Sequence, residues 1–185
     1  MTPTFRDKLS RASAGRRLLL VAIVSVLPPS LSTAHPLADE PRSRLEANFS
    51  LAAPRLVEDL THVSVTRDYG HAWDSLAVAM SSSAPELLNA YFAGPAKSGL
   101  ANAIASQNRV GIRCHYLEPR HKLEAIFYSP EGDVMELHDT AEFRLQLTAG
   151  QEVIHDEHII LHYVVLMTPA ADRWVVRHLQ AVSQF

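Results

Sequence analysis

Four side chains that can exchange protons, Asp139, His158, His162 and His178, lie in the second half of this 185-residue sequence. They stand in segments dominated by Ile, Leu, Val and aromatic residues, where a buried polar group is unfavourable unless it is paired or solvated. A carboxylate in an apolar pocket can act as a general base, and an imidazole beside it can act as the acid. Asp139 with His158 or His162 is therefore the candidate catalytic set.

Hairpin registers decide whether these groups share a face, because side chains alternate along a strand. A turn at residues 149–150 pairs Thr148 with Gln151. In that register Asp139 lies opposite residue 160, and His158 and His162 share its face. This face is the more apolar one, so we predict that it is the inner face of a sheet.

The neighbouring turns extend the inner face. A turn at residues 130–132 places Leu123 opposite Asp139 and Phe127 opposite Met135, and pairing residues 167 and 173 brings His178 beside His162. The predicted ligand-binding residues of this face are Asp139, His158, His162, His178, Trp174, Phe127 and Phe143.

Each of these side chains could instead have a purely structural role. Asp139 could pair with His158 as a buried bridge, and an inward histidine often bonds a backbone carbonyl. A metal site is disfavoured because His158 and His162, on one strand, would lie about 13 Å apart, too far to share an ion. Only His162 and His178 could do so as cross-strand neighbours, and we predict neither a metal nor a cofactor.

Helices are predicted ahead of the strands. The first carries an apolar stripe at three-and-four spacing, formed by Val65, Tyr69, Ala72, Trp73, Leu76, Ala79 and Met80. Residues 83–86 have the form of a capping box that opens a second helix, and Gly94 with Pro95 is predicted to end it. A third short helix is predicted over residues 96–106.

Past Asn108 the pattern changes to strands, which are predicted over residues 110–117, 121–128, 134–147, 152–167 and 173–182. Lone Cys114 is predicted to be a buried strand residue. Helices followed by strands of this length predict an α+β domain, with N-terminal helices packed on a strongly curved antiparallel sheet.

This order of elements, with an inward Trp73 and a final hydrophobic segment RWVVRHL at residues 173–179, resembles the NTF2-like (SnoaL-like, ketosteroid-isomerase-like) superfamily. The resemblance covers roughly residues 63–185. It implies a cone with a pocket between sheet and helices, and a homodimer through the sheet. The superfamily includes isomerases, polyketide cyclases and secretion-system components, so the resemblance bears on fold more than on function.

The N-terminus has the pattern of an export signal. Five basic residues precede an apolar run at residues 18–27 and two prolines, and cleavage is predicted after Ala34. The pair Arg16 and Arg17 also resembles a twin-arginine signal, as the alternative to the general secretory route. The predicted organisation is a signal peptide at 1–34, a linker or loosely docked arm at 35–54 and the domain at 55–185.

Charge argues against nucleic-acid binding. The whole chain has a formal net charge of −3, but without the leader 12 Lys and Arg stand against 19 Asp and Glu, a net −7. An acidic surface repels phosphate backbones. The partner is therefore predicted to be a small apolar molecule or a protein, with a membrane role only if the leader is retained as an anchor.

The sequence is consistent with three functions. The first is a non-enzymatic, ligand- or partner-binding domain of the bacterial cell envelope, periplasmic or secreted, because no nucleophile, base and orienting group can be recognised as a set. The rival is a small-molecule isomerase or cyclase that uses Asp139 as base. A secretion-system component anchored by an uncleaved leader is the third possibility.

Overall fold

A computed structural model describes residues 42–185 of the protein. The predicted signal peptide, its cleavage site after Ala34 and the first part of the predicted arm lie outside the described residues. Within the described part, helices pack against a six-stranded sheet, which confirms the predicted α+β class.

Helix α1, Asp59–Ser82, carries the predicted apolar stripe, and every residue of that stripe is buried. The helix ends at Ser83, which adopts a left-handed conformation with φ of 56°. A short 3-10 helix, Pro85–Ala90, follows in place of the predicted second α-helix. Its N-cap residue is Ala84, which makes no side-chain capping hydrogen bond, so the predicted capping box is wrong.

Helix α2, Gly94–Arg109, begins at the residues that were predicted to end the second helix. Proline suits the first turn of a helix, where its missing N–H is not needed. Pro95 therefore starts this helix instead of stopping the preceding one.

The sheet contains β1 (Arg44–Asn48), β2 (Ala53–Pro54), β3 (Ile112–Tyr128), β4 (Met135–Ala149), β5 (Glu152–Pro169) and β6 (Trp174–Val182). Its order is β1-β3-β4-β5-β6, and β2 also lies beside β3. Strands β3 to β6 form an antiparallel meander, whereas β1 and β2 run parallel to β3. The sheet is mixed, and not wholly antiparallel as predicted.

Strand β3 is continuous where two strands were predicted. The register shifts between Leu117 and Arg120, and Glu118 has a positive φ of 53°. A bulge of this kind accommodates Pro119, which cannot donate to a regular ladder.

Carboxylates of α1 hold strands at both edges of the sheet. Asp74 Oδ2 accepts from the Arg42 backbone N–H at 2.7 Å, and its Oδ1 accepts from Ser43 Oγ at 2.9 Å. Asp68 Oδ2 accepts from the Trp174 backbone N–H at 2.7 Å and is buried, although its place in the sequence put it largely on the polar side of the helix.

Part of the predicted arm is packed against the domain. Residues 44–48 and 53–54 pair with β3, and both Ser43 and Ala52 are buried. The bonds from Asp74 fix the chain where it enters β1. These residues form one edge of the sheet.

We call the face of the sheet that α1 covers the inner face, and the opposite one the outer face. The buried residues of the inner face are Leu123, Ala125, Met135, Leu137, Asp139, Ala141, Phe143, Val165, Met167 and Val176. They form the core together with the stripe of α1.

The predicted register between β4 and β5 is wrong. The turn pairs Ala149 with Glu152, and a one-residue bulge follows, so that Asp139 lies opposite Tyr163 and not opposite residue 160. An odd shift of three residues exchanges the two faces of β5. His158 and His162, predicted to point inward, therefore belong to the outer face.

Two other registers bear on the predicted site. Leu123 lies opposite Asp139 as predicted, but a bulge after Ala125 places Tyr128, and not Phe127, opposite Met135.

In the last hairpin Met167 pairs with Val176, and His178 lies opposite Leu166. His162 faces Val182 instead. The predicted pairing of His162 with His178 is wrong because the turn and a bulge shift β6 by four residues at that point.

Within residues 42–185, no helix combines the length and the apolar character that crossing a membrane requires.

Replacing Asp74 tests whether β1 is an integral part of the domain. We expect Asp74→Ala to cost about 1–3 kcal/mol, because three polar groups of residues 42–43 lose their acceptor, and to speed amide hydrogen exchange in β1 more than in β4. The neighbouring Ser75→Ala, which removes only a bond to the Ala72 carbonyl, is the matched control. Equal exchange in β1 for the two variants would contradict the assignment.

Candidate functional site

Asp139 lies on β4 at the centre of the inner face and has no solvent exposure. Its Oδ2 accepts a hydrogen bond from the Tyr69 hydroxyl at 2.6 Å. The same oxygen lies 2.9 Å from His121 Nδ1, which is 3.2 Å from Oδ1. The carboxyl group is thus held between a helix residue and a residue of β3.

His121 is the partner that the sequence analysis missed. Its side chain is fully buried, and its second nitrogen, Nε2, is buried without a hydrogen-bond partner among the described residues. Two-residue alternation carried the signal: Leu123 was predicted to face inward, so His121 had to face inward as well. The histidine that accompanies Asp139 comes from β3 and not from β5.

Tyr69 supplies the other bond to Asp139. It was predicted to belong to the apolar stripe, and its hydroxyl is the polar end of a side chain that is otherwise packed. Burial, and then the negative charge of Asp139, raise the pKa of Tyr69 well above its usual value. The phenol therefore stays protonated and acts as a hydrogen-bond donor.

Aromatic rings surround this network. The Trp73 ring lies 4.5 Å from the His121 ring and 5.6 Å from the Tyr163 ring, measured between centroids. Tyr116 and Phe143 pack edge to face at 4.9 Å. These side chains belong to the core or pack against it, and Asp139 has no solvent exposure beneath them.

Tyr163 is the nearest phenol on β5, directly across the strand pair from Asp139. Burial, and then the charge of Asp139, raise the pKa of Tyr163 to about 12. Its hydroxyl stays protonated throughout the ordinary range of pH.

His158 lies on the outer face, opposite Arg144. Its side chain is 60% exposed, and Nε2 lies 3.0 Å from Glu142 Oε1. It cannot exchange a proton with Asp139, because the sheet itself separates the two groups.

His162 and His178 are also separated from Asp139. His162 Nδ1 lies 3.2 Å from Thr140 Oγ1, with the Phe185 ring against its edge. His178 Nε2 lies 3.1 Å from Gln180 Oε1. Among residues 42–185, no group of three or more His, Cys, Asp or Glu side chains is arranged to hold a metal ion.

The three aromatic residues predicted to bind a ligand also differ in their exposure. Phe143 and Trp174 are buried, whereas the bulge in β3 turns Phe127 outward to 38% exposure. Of the seven predicted ligand-binding residues, the structure brings only Asp139 and Phe143 into the same cluster around Trp73.

A groove opens on the other side of the sheet, with a volume of about 660 Å3. The residues that line it are Arg44, Leu45, Glu46, Arg120, His121, Lys122, Thr140, Glu142 and Ile160. A second depression of about 390 Å3 shares Arg44 and Arg120 with it and adds Arg42.

The cations of this groove are available to a ligand. Arg44 and Arg120 are cross-strand partners, and Lys122 follows on the same face of β3. None of the three forms an ion pair with a carboxylate of the described residues. The sequence analysis found no Lys and Arg cluster, because these residues meet only when β1 pairs with β3.

No protein-family model matches the chain, and no curated protein matches it significantly. Among solved structures, the crystal structure of the intermembrane space region of the chloroplast protein ARC6 has a similar fold, with a TM-score of 0.55 and 12% sequence identity. The match covers 70% of this chain and 98% of that chain. At this identity the similarity concerns the fold alone.

Replacing Asp139 tests its structural role. Asp139→Ala removes the acceptor of two buried donors, so we expect a loss of about 3–5 kcal/mol in the free energy of unfolding, measured with urea. Tyr69→Phe should cost about 1–3 kcal/mol. Asp156→Ala, which breaks an exposed pair with Arg144, is the matched control and should change stability little. Similar losses for Asp139→Ala and the control would contradict this role.

The raised pKa of Tyr163 predicts a loss of stability in alkali. The phenol of the unfolded chain ionises near pH 10 and that of the folded protein near 12, so its contribution is complete below about pH 10 and is lost as pH rises towards about 12. Urea midpoints measured across this range should fall less steeply for Tyr163→Phe than for the natural chain. Measurements at neutral pH separate the packing effect from titration, and parallel curves would refute the assignment.

Proposed function

We propose that this chain is an exported, non-enzymatic, NTF2-like binding domain of the bacterial cell envelope, and that the outer-face groove receives a carboxylate-bearing segment of a protein partner. The observation that carries the proposal is the set of Arg44, Arg120 and Lys122, three cations around one groove that form no ion pair with another residue of the described range 42–185. Charges in this arrangement attract an anionic partner.

The chemistry of the groove defines the segment that fits it. Arginine presents a planar fork of donors that suits a carboxylate. Ile160, which is 55% exposed, lies beside these cations and offers an apolar contact. Glu142 on the same wall, and Glu46 opposite Lys122, would repel a second acid placed next to them. A segment that alternates acidic and apolar side chains combines both contacts.

The inner face supports a binding role better than an enzymatic one. The isomerase or cyclase hypothesis needs Asp139 and a histidine of β5 beside one cavity, but His158 and His162 lie on the other side of the sheet. Asp139 is engaged by Tyr69 and His121 and has no solvent exposure. This arrangement supports the core, because a buried carboxylate is stable only when it is fully paired.

Export is proposed from the leader alone, with its basic start, short apolar run and small residues before His35. The ARC6 region with a similar fold belongs to the chloroplast intermembrane space. Retention of the leader would tether the same binding domain to a membrane.

A synthetic peptide that alternates Asp and Leu, compared with one that alternates Lys and Leu, tests the groove. We expect the full chain to bind the acidic peptide more tightly, with affinity falling as salt is raised, as measured by fluorescence anisotropy. Arg120→Glu should weaken binding by roughly tenfold or more, which corresponds to about 1.4 kcal/mol.

The matched control is Arg109→Glu, a charge reversal at the exposed end of α2. It should leave the affinity for the acidic peptide unchanged. Equal affinities for the two peptides, or equal effects of the two substitutions, would overturn the proposed function.

A further inference from the structure

One long edge of the sheet has no strand beside it. Strand β5 spans Glu152–Pro169, but β6 pairs only with its second half, from His162 onward. Within the described part of the chain, residues 152–161 are paired with β4 on one side and with no strand on the other. Such an edge leaves a row of backbone donors and acceptors available for another strand.

This free edge is also apolar for an exposed strand. Val153 and Ile154 are each 48% exposed, and Ile160 is 55% exposed. Natural edge strands usually carry charges or proline that discourage pairing. Here the charged residues stand in the middle, as His155, Asp156, Glu157 and His158, between the apolar ones.

We infer that the free edge of β5 pairs with the same edge of a second copy of this chain, antiparallel and about a two-fold axis, to make one continuous sheet. Two antiparallel copies in one sheet are related by an axis perpendicular to it, so outer-face residues must lie opposite outer-face residues. This condition fixes the axis at a residue of β5.

The side chains select one position of the axis. With the axis at Glu157, Ile154 lies opposite Ile160 of the second copy, and Asp156 lies opposite His158 of the second copy. The first is an apolar pair, and the second is a carboxylate and an imidazole that can hydrogen-bond in addition to their bonds with Arg144 and Glu142. Each pair occurs twice. The edge is therefore complementary to itself in this register.

The neighbouring positions of the axis are worse. An axis at Asp156 would set that carboxylate against its own copy and Ile154 against His158. An axis at His158 would place Asp156 against Ile160. On the outer face both leave an apolar side chain facing a polar one, whereas the axis at Glu157 has such a mismatch only on the inner face, between His155 and Ile159.

The interface is small, and the dimer is correspondingly weak. The regular stretch begins at His155 because Ile154 is the extra residue of the bulge, so the contact of Ile154 with Ile160 of the second copy lies at the end of the ladder. Stable interfaces usually involve about 20–30 residues on each side. We expect a dissociation constant in the micromolar range. The two Glu157 carboxylates meet at the axis and repel each other, so Glu157→Gln should tighten the dimer.

Sedimentation velocity of the full chain over a concentration series tests the inference. We expect a monomer–dimer equilibrium that Ile154→Lys shifts towards monomer by tenfold or more and that Glu157→Gln shifts towards dimer. Ile154 does not line the outer-face groove, so Ile154→Lys should still bind the acidic peptide. Failure of dimerisation is thereby distinguishable from failure of the proposed function.

Cysteine cross-linking tests the register. Glu157→Cys should form disulfide-linked dimers under air oxidation, because a residue on the axis faces its own copy at a distance close to that of a disulfide. The native Cys114 is 3% exposed and should not react. Glu86→Cys, on the exposed 3-10 helix, is the control. A chain that stays monomeric at all concentrations, or equal cross-linking of the two variants, would overturn the inference.

Discussion

The buried carboxylate of Asp139 sets the constraint that the rest of the fold must meet. A charge without solvent exposure is unfavourable unless its lone pairs are satisfied, and here the donors come from α1 and from β3. The helix, the first long strand and the second must therefore take one relative position for Tyr69, His121 and Asp139 to meet. Hydrophobic packing alone tolerates sliding, whereas this network does not.

The same network explains why the two faces of the sheet differ. Trp73, Tyr116 and Phe143 close over the inner polar groups and leave them a structural role. Within residues 42–185 no helix covers the outer face, and Arg44, Arg120 and Lys122 are exposed. The inner concavity and the exposed sheet face were both binding surfaces in the sequence hypothesis, and the unpaired cations lie on the exposed face.

Local signals predicted much of the fold, and long-range pairing decided the rest. The stripe on α1, the inward Trp73 and the burial of Cys114 follow from spacing and residue type, and all are confirmed. The alternation of apolar and polar side chains does not reveal single-residue bulges. The bulges in β3, β5 and β6 moved Phe127, His158 and His178 to the face opposite the predicted one. Asp139 lies on the inner face as predicted, because the register errors concern the strands beside β4 and not β4 itself.

The bonds from α1 to the edges of the sheet have a consequence for the order of folding. Asp74 bonds residues about 31 positions earlier in the chain, but the partner of Asp68 lies 106 residues later, at the start of the final strand. Closing so long a loop is slow, and domains rich in such contacts fold slowly. Until β6 emerges during synthesis, Asp68 Oδ2 lacks the Trp174 N–H as its donor, and the neighbouring Arg67 bonds only Oδ1. The meander is completed, and the helix locked, only by the last strand to appear.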